Sequence, residues 1–106
     1  MADNIFTRTE MLIGKQALEK LKKSKVIVFG VGGVGGYTVE ALIRSNIGEI
    51  TIVDYDTIDI TNINRQIIAL HSTVGKYKVD AFRERIHDIN PDCKVNVYKE
   101  KLTVDN

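Results

Sequence analysis

A run of glycines between an apolar segment and an amphipathic one is the feature that most constrains the fold of this chain. The run covers residues 30–36 and follows the apolar segment 26–29 directly. An apolar strand, a glycine turn and a helix in this order let backbone N–H groups at the helix start approach a phosphate. Gly30, Gly32 and Gly35 fit the spacing G-x-G-x-x-G of dinucleotide-binding turns. The run therefore predicts a nucleotide-binding site.

The rest of the chain alternates helical and strand patterns. The predicted helices are 8–22, 34–46 and 75–90, and the predicted strands are 25–30, 49–54 and 94–98. We expect Gly14 to break the first helix and 57–73 to form a loop with a short helical turn. The β-branched strand 25–30 is typical of a strand that is buried on both faces. Right-handed crossovers then predict an α/β fold, a Rossmann-like parallel sheet with flanking helices in the order 3-2-1.

Length and composition limit what this chain does. A doubly wound sheet usually has five or six strands, and 106 residues have room for three or four. We therefore expect residues 1–106 to be the N-terminal nucleotide-binding part, the first βαβαβ half, of a longer domain. A net charge of +1 indicates no overall attraction to nucleic acid or membranes. One cysteine and no long apolar stretch predict a cytoplasmic protein without a membrane partner.

Charged residues after the glycine run indicate which nucleotide is bound. Asp54 ends the second predicted strand nineteen residues after Gly35, where a carboxylate accepts hydrogen bonds from ribose hydroxyls. Asp56 adds a carboxylate for the ribose or for Mg²⁺. A triphosphate needs cations that a pyrophosphate does not; Arg65 is suited to bind phosphate oxygens in bidentate fashion. Lys78 adds a point charge, although such a lysine alone is typical of a solvated helix.

Metal ligands and a reactive thiol are not indicated. His71 and His87 have no second ligand at metal-binding spacing. Cys93 follows a proline at a strand entrance, which favours a structural role. The histidines and the cysteine therefore predict no metal site and no reactive thiol in this chain.

Four motifs occur in an order that resembles a known superfamily. They are the glycine run, Asp54-x-Asp56, Asn62-x-Asn64-Arg65-Gln66 and Gly75-Lys76-x-Lys78. Together they resemble the ubiquitin-activating-enzyme-like (ThiF/MoeB/HesA) adenylyltransferases over nearly the whole chain. Within that superfamily, segments 6–14, 64–70 and 89–91 are most similar to the tRNA threonylcarbamoyladenosine dehydratases.

The resemblance implies cofactors, partners and site residues. It implies ATP and Mg²⁺, with the Mg²⁺-associated aspartate beyond Asn106, and a homodimer in which Arg8 reaches the phosphates of the other subunit. The catalytic residues that it implies are Arg8, Arg65 and Lys78. The nucleotide-binding residues are Gly30, Gly32, Gly33, Gly35, Asp54, Asp56, Asn62, Asn64, Arg65 and Lys78.

The resemblance also implies a reaction. The expected activity is ATP-dependent adenylation of the threonylcarbamoyl carboxylate on adenosine-37 of tRNA, after which ring closure gives the cyclic form. One alternative substrate is the C-terminal glycine of a ubiquitin-like sulfur carrier protein. Two further alternatives are an NAD-dependent oxidoreductase and a nucleotide sensor that binds ATP without turnover.

Overall fold

Three short parallel strands form the sheet of the computed structural model, which describes residues 2–106. They are β1 (Lys25–Phe29), β2 (Glu49–Val53) and β3 (Lys94–Tyr98). They pair in the order β1-β2-β3, with Val28 opposite Ile52 and Ile52 opposite Val97. The predicted α/β class and strand order are confirmed.

Helices connect these strands. They are α1 (Thr7–Ile13), α2 (Lys15–Lys22), α3 (Gly33–Arg44) and α4 (Lys78–Ile89), with a 3₁₀ turn at Ile60–Asn62. The predicted break of the first helix is confirmed, because Gly14 between α1 and α2 has a φ of 85°. The predicted loop with one helical turn is also confirmed. Within residues 2–106, no helix has the length and apolarity needed to cross a bilayer.

The hydrophobic core lies on one face of the sheet, beneath α3 and α4. It includes Val39, Ile43, Ile50, Ile52, Phe82 and Ile86. On the opposite face, Ile27 is 51% exposed and Phe29 is 50% exposed. The prediction that the first strand is buried on both faces is therefore wrong. Both crossover helices pack on the same side, so the described residues leave the other side of β1 open.

An ion-pair cluster joins α3 to α4. The buried carboxylate of Glu40 accepts hydrogen bonds from Arg85 Nε at 2.7 Å and from Arg85 Nη2 at 2.9 Å. Arg44 Nε donates to the same carboxylate at 2.9 Å. The hydrogen bonds from Arg85, followed by those from Arg44, lower the pKa of Glu40 although burial opposes the shift. The carboxylate in turn raises the pKa of Arg85.

Candidate functional site

The glycine turn lies at the carboxyl end of β1, where open parallel sheets bind their ligands. Gly30 has a φ of 82°, a conformation that side chains other than glycine rarely adopt. A Cβ on Gly35 would collide with the carbonyl oxygen of Gly30. These two glycines are therefore required for the tight turn from β1 into α3.

Asp54 fixes the turn from the end of β2. Its Oδ2 accepts a hydrogen bond from the Val31 N–H at 2.9 Å, and its Oδ1 accepts one from the Asp56 N–H at 2.8 Å. The side chain is buried. The structure thus brings Asp54 to the glycine turn, as the sequence predicts, and gives it a structural task there that the sequence did not indicate.

The first turn of α3 offers backbone donors next to these residues. Gly32 precedes the helix and supplies no side-chain cap. The first N–H groups of an α-helix have no partner within the helix, and the helix dipole adds positive potential there. Gly33 is exposed, and no atom lies within 4 Å of the place where its Cβ would be. An anion therefore has free access to this helix end.

Lys78 is buried against the same turn. Its Nζ lies 3.9 Å from the place where a Cβ of Gly32 would be, and the residue is only 6% exposed. Its ion-pair partner in the described residues is Asp56, at 3.9 Å, and that carboxylate is largely exposed. Lys78 is also the first residue of α4, where the helix dipole disfavours a positive charge. The Lys78 ammonium is buried and only weakly paired, so it favours the binding of an anion at this position.

Gln66 lies beside Lys78, and the sequence analysis gave it no role of its own. Its Nε2 is 3.5 Å from the same Cβ position on Gly32. The residue is 8% exposed, and its Oε1 is buried without a hydrogen-bond partner among the described residues. The feature of the sequence that could have indicated Gln66 as a site residue is its position directly after Arg65 in the asparagine–arginine motif.

The polar residues of the loop after β2 occupy different places. Arg65 is exposed, and its Nη1 donates to the Thr61 carbonyl at 3.1 Å and to Asn64 Oδ1 at 2.9 Å. Asn62 is buried, and its Oδ1 accepts from the Asp59 N–H at 2.8 Å. Asn62 therefore stabilises the 3₁₀ turn, whereas Asn64 orients Arg65.

Two concave regions show how these residues are grouped. A cavity of about 280 Å³ at the carboxyl ends of the strands is lined by Gly30, Asp54, Asp56 and Lys101 among others. Arg65 lines a shallow concavity with Gly33 on the other side of the turn. These predicted site residues thus fall into two groups, one on each side of the start of α3.

A further groove lies at the opposite end of the sheet. Its volume is about 530 Å³, and its lining includes Phe6, Glu10 and Gly48. Arg8 belongs to the helix at this groove. Within the described residues, no hydrogen bond or ion pair joins Arg8 to the glycine turn, so a single chain does not bring Arg8 to the site. No three potential metal ligands cluster in residues 2–106.

Comparison with known proteins identifies the family. A model described as ThiF family matches residues 6–106. The chain belongs to the ThiF family. The resemblance seen in its motifs is therefore confirmed, and this ThiF-family chain has the Rossmann-like fold of its relatives.

Several relatives of this ThiF-family chain are named for tRNA modification. The tRNA threonylcarbamoyladenosine dehydratase of Bacillus subtilis is 57% identical over 94 residues, which are 89% of this chain and 37% of that protein. The crystal structure of the Escherichia coli tRNA N6-threonylcarbamoyladenosine dehydratase in complex with ATP matches with a TM-score of 0.93 and 44% identity. This match covers 95% of this chain and 42% of that one.

A second group of relatives carries a different name. The adenylyltransferase and sulfurtransferase UBA4 of Lodderomyces elongisporus is 44% identical over 90 residues, or 85% of this chain and 20% of that protein. The ThiF-family chain spans between a third and two fifths of the length of the dehydratases, with shares of 37%, 34% and 38%.

Proposed function

We propose that this chain is the nucleotide-binding part of an enzyme that uses ATP to adenylate a carboxylate. The observation that carries the proposal is the buried Lys78 ammonium at the glycine turn, weakly paired with Asp56 at 3.9 Å. Such a charge is stabilised by an anion with several phosphates. The likeness to a dehydratase crystallised with ATP, over 95% of this chain, supports ATP as that ligand.

The proposed reaction transfers the adenylyl group in one step. A carboxylate oxygen of the substrate forms a bond to the α-phosphorus of ATP, the bond from that phosphorus to the bridging oxygen breaks, and pyrophosphate leaves. Negative charge moves onto the leaving group, so fixed cations lower the barrier. In this proposal Lys78 and Arg65 provide those cations, while the turn glycines and the start of α3 hold the phosphates.

The binding of the sugar and of Mg²⁺ is assigned to the same end of the sheet. Asp54 lies at the cavity at the carboxyl end of β2, and its carboxylate retains acceptor capacity for a ribose hydroxyl. Asp56 offers an exposed carboxylate. Mg²⁺ is commonly held by one or two carboxylates together with substrate phosphates, and when bound it adds positive charge. We assign Asp56 as the carboxylate of this chain that Mg²⁺ would use.

For the acyl substrate, we propose the threonylcarbamoyl group of N6-threonylcarbamoyladenosine-37 in tRNA. Its carboxylate becomes a mixed anhydride with AMP. A heteroatom of the carbamoyl group in the same side chain then bonds to the activated acyl carbon, the bond from that carbon to the phosphate oxygen breaks, and AMP and a proton leave as the ring closes. Support comes from the names and identities of the bacterial relatives, 57% for the Bacillus subtilis dehydratase and 45% over 101 residues for the Escherichia coli one.

The C-terminal glycine of a ubiquitin-like sulfur carrier is the second candidate substrate. It would use the same adenylation step, and the similarity to adenylyltransferase and sulfurtransferase UBA4 favours it. The carboxylate differs between the two candidates, whereas the nucleotide-binding residues do not.

We also propose a homodimer in which Arg8 acts on the nucleotide of the partner subunit. Arg8 is exposed on α1, a helix with no buried residue, so its guanidinium is available to a second chain. In this proposal residues 1–106 are the N-terminal nucleotide-binding part of a longer adenylating domain.

The proposed function is tested with the full-length protein, ATP and either tRNA bearing the modified adenosine or a carrier protein. Pyrophosphate release with tRNA, together with the cyclised nucleoside in the digested product, supports the first candidate. Release with the carrier alone replaces it with the second. A protein that binds NADH and does not respond to ATP would contradict adenylation altogether.

An Arg65→Ala variant separates an enzyme from a nucleotide sensor. If Arg65 stabilises charge that develops on the pyrophosphate, its loss lowers the rate of pyrophosphate release far more than the affinity for ATP. Equal losses of rate and affinity would instead favour a module that binds ATP without turnover.

A further inference from the structure

Lysines are concentrated at the end of α2 and the start of β1. Residues 20–25 have a formal charge of +4, because they hold four lysines and no acidic residue, whereas the whole chain has +1. The remaining residues therefore carry −3 together. A charge distribution of this kind presents one positive surface to a partner. We call this surface the basic patch, and its members are Lys20, Lys22, Lys23 and Lys25.

The lysines of the basic patch have no carboxylate partners within residues 2–106. All four are exposed, and none of them forms an ion pair there. Two other exposed lysines, Lys76 and Lys99, instead pair with Glu84 at 3.2 Å and with Asp80 at 3.0 Å. The positive charge of the basic patch is thus available to a partner, whereas the charges of Lys76 and Lys99 are offset within the chain.

The stability of the fold does not account for this concentration of lysines. The dipole of α2 favours positive charge in its last turn, where Lys20 and Lys22 lie. Lys25 belongs to β1 and is outside that effect. Lys20 and Lys23 are three positions apart, and like charges that are neighbours on a helix surface repel each other. A surface that keeps such charges together is expected to serve a partner.

The backbone of the basic patch is fixed against the start of β2. The Gly48 N–H donates to the Leu21 carbonyl at 3.3 Å, and the Glu49 N–H donates to the Ser24 carbonyl at 3.3 Å. A Cβ on Gly48 would collide with the carbonyl oxygen of Lys22. The lysine side chains therefore extend from a backbone with fixed spacing, so little backbone entropy is lost when a partner binds.

The basic patch lies at the end of the sheet opposite the glycine turn. Lys25 is the first residue of β1, and the glycine turn follows the last one, Phe29. Five residues of strand span about 16 Å. A substrate whose reacting group lies at the glycine turn reaches the basic patch only if it extends at least this far and carries negative charge there.

The phosphodiester backbone of an RNA has both properties. Lysines that contact phosphates position a nucleic acid without reading its sequence, and helical RNA is recognised mainly by its shape and backbone. A membrane surface would instead favour exposed apolar side chains among the lysines. The one apolar residue in segment 20–25 is Leu21, which is partly buried. The basic patch therefore fits RNA better than a membrane.

We propose that the basic patch binds the phosphate backbone of tRNA at a distance from the adenosine that reacts at the glycine turn. The inference rests on the proposed function, because it takes tRNA to be the substrate. Each lysine that contacts a phosphate releases a counterion, so this part of the affinity depends on salt. The basic patch thus raises the affinity for tRNA and takes no part in the adenylation step.

The test uses Lys20→Gln combined with Lys23→Gln in the full-length protein. Fluorescence anisotropy with an unmodified tRNA transcript should show a dissociation constant about 10-fold above wild type at about 0.1 M salt. The slope of log affinity against log salt concentration should become shallower by about 1–2. In the pyrophosphate assay with the modified tRNA, KM should rise by a similar factor, whereas kcat and the affinity for ATP should not change.

Lys76→Gln combined with Lys99→Gln is the matched control. It lowers the net charge by the same amount at exposed lysines that already pair with carboxylates, so the affinity for tRNA should change far less. Lys20→Arg combined with Lys23→Arg keeps the charge of the basic patch and should bind tRNA as tightly as wild type.

The outcomes separate this inference from the proposed function. Wild-type protein that binds tRNA, with a glutamine variant of the basic patch that binds it as tightly, would overturn the inference alone. Equal losses in this variant and in the control would assign the binding to net charge. Binding to vesicles of phosphatidylserine and phosphatidylcholine that this variant loses, while it keeps its affinity for tRNA, would assign the basic patch to a membrane. Pyrophosphate release with a carrier protein only, and no binding of tRNA, would overturn the tRNA substrate itself.

Discussion

At the residue scale, two neighbouring lysines show how burial changes the role of the same side chain. Lys76 is exposed and pairs with the exposed Glu84 at 3.2 Å. Lys78, two positions later, is buried at the glycine turn with Asp56 at 3.9 Å. Exposed ion pairs contribute little because water screens them, whereas a buried ammonium with a distant partner carries a desolvation cost. The position of Lys78 thus lowers the stability of the fold and favours the binding of a phosphate.

Lys78→Met is expected to separate binding from stability. Methionine keeps most of the aliphatic volume and removes the charge, so the affinity for ATP should fall about 10- to 100-fold. The melting temperature of the ligand-free protein should stay the same or rise. Isothermal titration and thermal melting of the full-length protein measure both quantities.

Lys76→Met is the matched control for this prediction. It removes a lysine from the same segment and leaves the turn untouched, so ATP affinity should not change. Equal losses of affinity in the two variants would mean that the charge of the segment, and not the position of Lys78, binds the nucleotide.

The sequence predicted residue types at the site better than their environments. The position after β2 indicated Asp54, because a carboxylate there binds ribose hydroxyls in many nucleotide sites. Lys78 was indicated almost wholly by the resemblance to the superfamily. The motifs did not indicate that Lys78 is buried or that Gln66 has an unpaired oxygen. Both properties depend on how the loop after β2 folds onto Gly32, and a single sequence does not contain those distances.

At the element scale, the unit from β1 to α3 depends on backbone contact. A Cβ on Gly35 would collide with the Gly30 carbonyl oxygen, whereas a Cβ on Gly33 would meet no atom within 4 Å. Gly35→Ala should therefore lower the free energy of unfolding by about 3 kcal/mol or more, since two backbone segments would have to separate. Chemical denaturation of the full-length protein measures this change.

Gly33→Ala serves as the control for the turn. It adds the same methyl group two residues earlier, and the unfolding free energy should stay equal or rise by up to about 1 kcal/mol because alanine favours the helix. If Gly35→Ala were as stable as Gly33→Ala, the close approach of α3 to Gly30 would be incorrect.

The ion-pair cluster between α3 and α4 predicts a dependence on pH. Because Arg85 and Arg44 lower the pKa of folded Glu40, its stabilisation is complete above the ordinary carboxyl value of 4.5 and is lost as the pH falls through the lower pKa of the folded state. Glu40→Gln should therefore be less stable than wild type at pH 7, by about 1 kcal/mol for a partly solvated pair. The difference should disappear in acid.

Urea denaturation from pH 7 into acid measures the difference in stability between Glu40→Gln and wild type, with Glu84→Gln as control. Glu84 is exposed and pairs with Lys76 on the surface, so its removal should have almost no effect at any pH. A Glu40→Gln deficit that persists unchanged in strong acid would assign the loss to packing instead of charge.

Elements were predictable where one local pattern determines them. Apolar runs predicted the three strands, and Gly14 predicted the break between α1 and α2. The Glu40–Arg85 pair was not predictable because its members are 45 residues apart and meet only when α3 and α4 pack. The beginning of α4 was predicted three residues early, at position 75. Gly75 has a φ of 91° and Tyr77 has an extended backbone, so the helix begins at Lys78.

At the scale of the whole molecule, the face of the sheet opposite α3 and α4 is uncovered in the described residues. Ile27, Phe29 and Tyr98 are each about half exposed on it. The prediction that the first strand is buried on both faces failed, because a β-branched run shows that a strand can be buried and does not show which elements cover it. Contiguous exposed apolar surface of this kind favours association.

The 106-residue chain, produced alone, should therefore self-associate through this face. Sedimentation velocity should show species larger than the monomer mass of 11.9 kDa. Ile27→Thr combined with Phe29→Thr should shift the distribution toward monomer, because threonine keeps the preference for β-structure and removes apolar area. Val104→Thr, at a fully exposed position outside the strands, should leave the distribution unchanged. Equal shifts in both variants would place the contact elsewhere. A wild-type chain that stays monomeric at every concentration would show that the exposed face does not drive association.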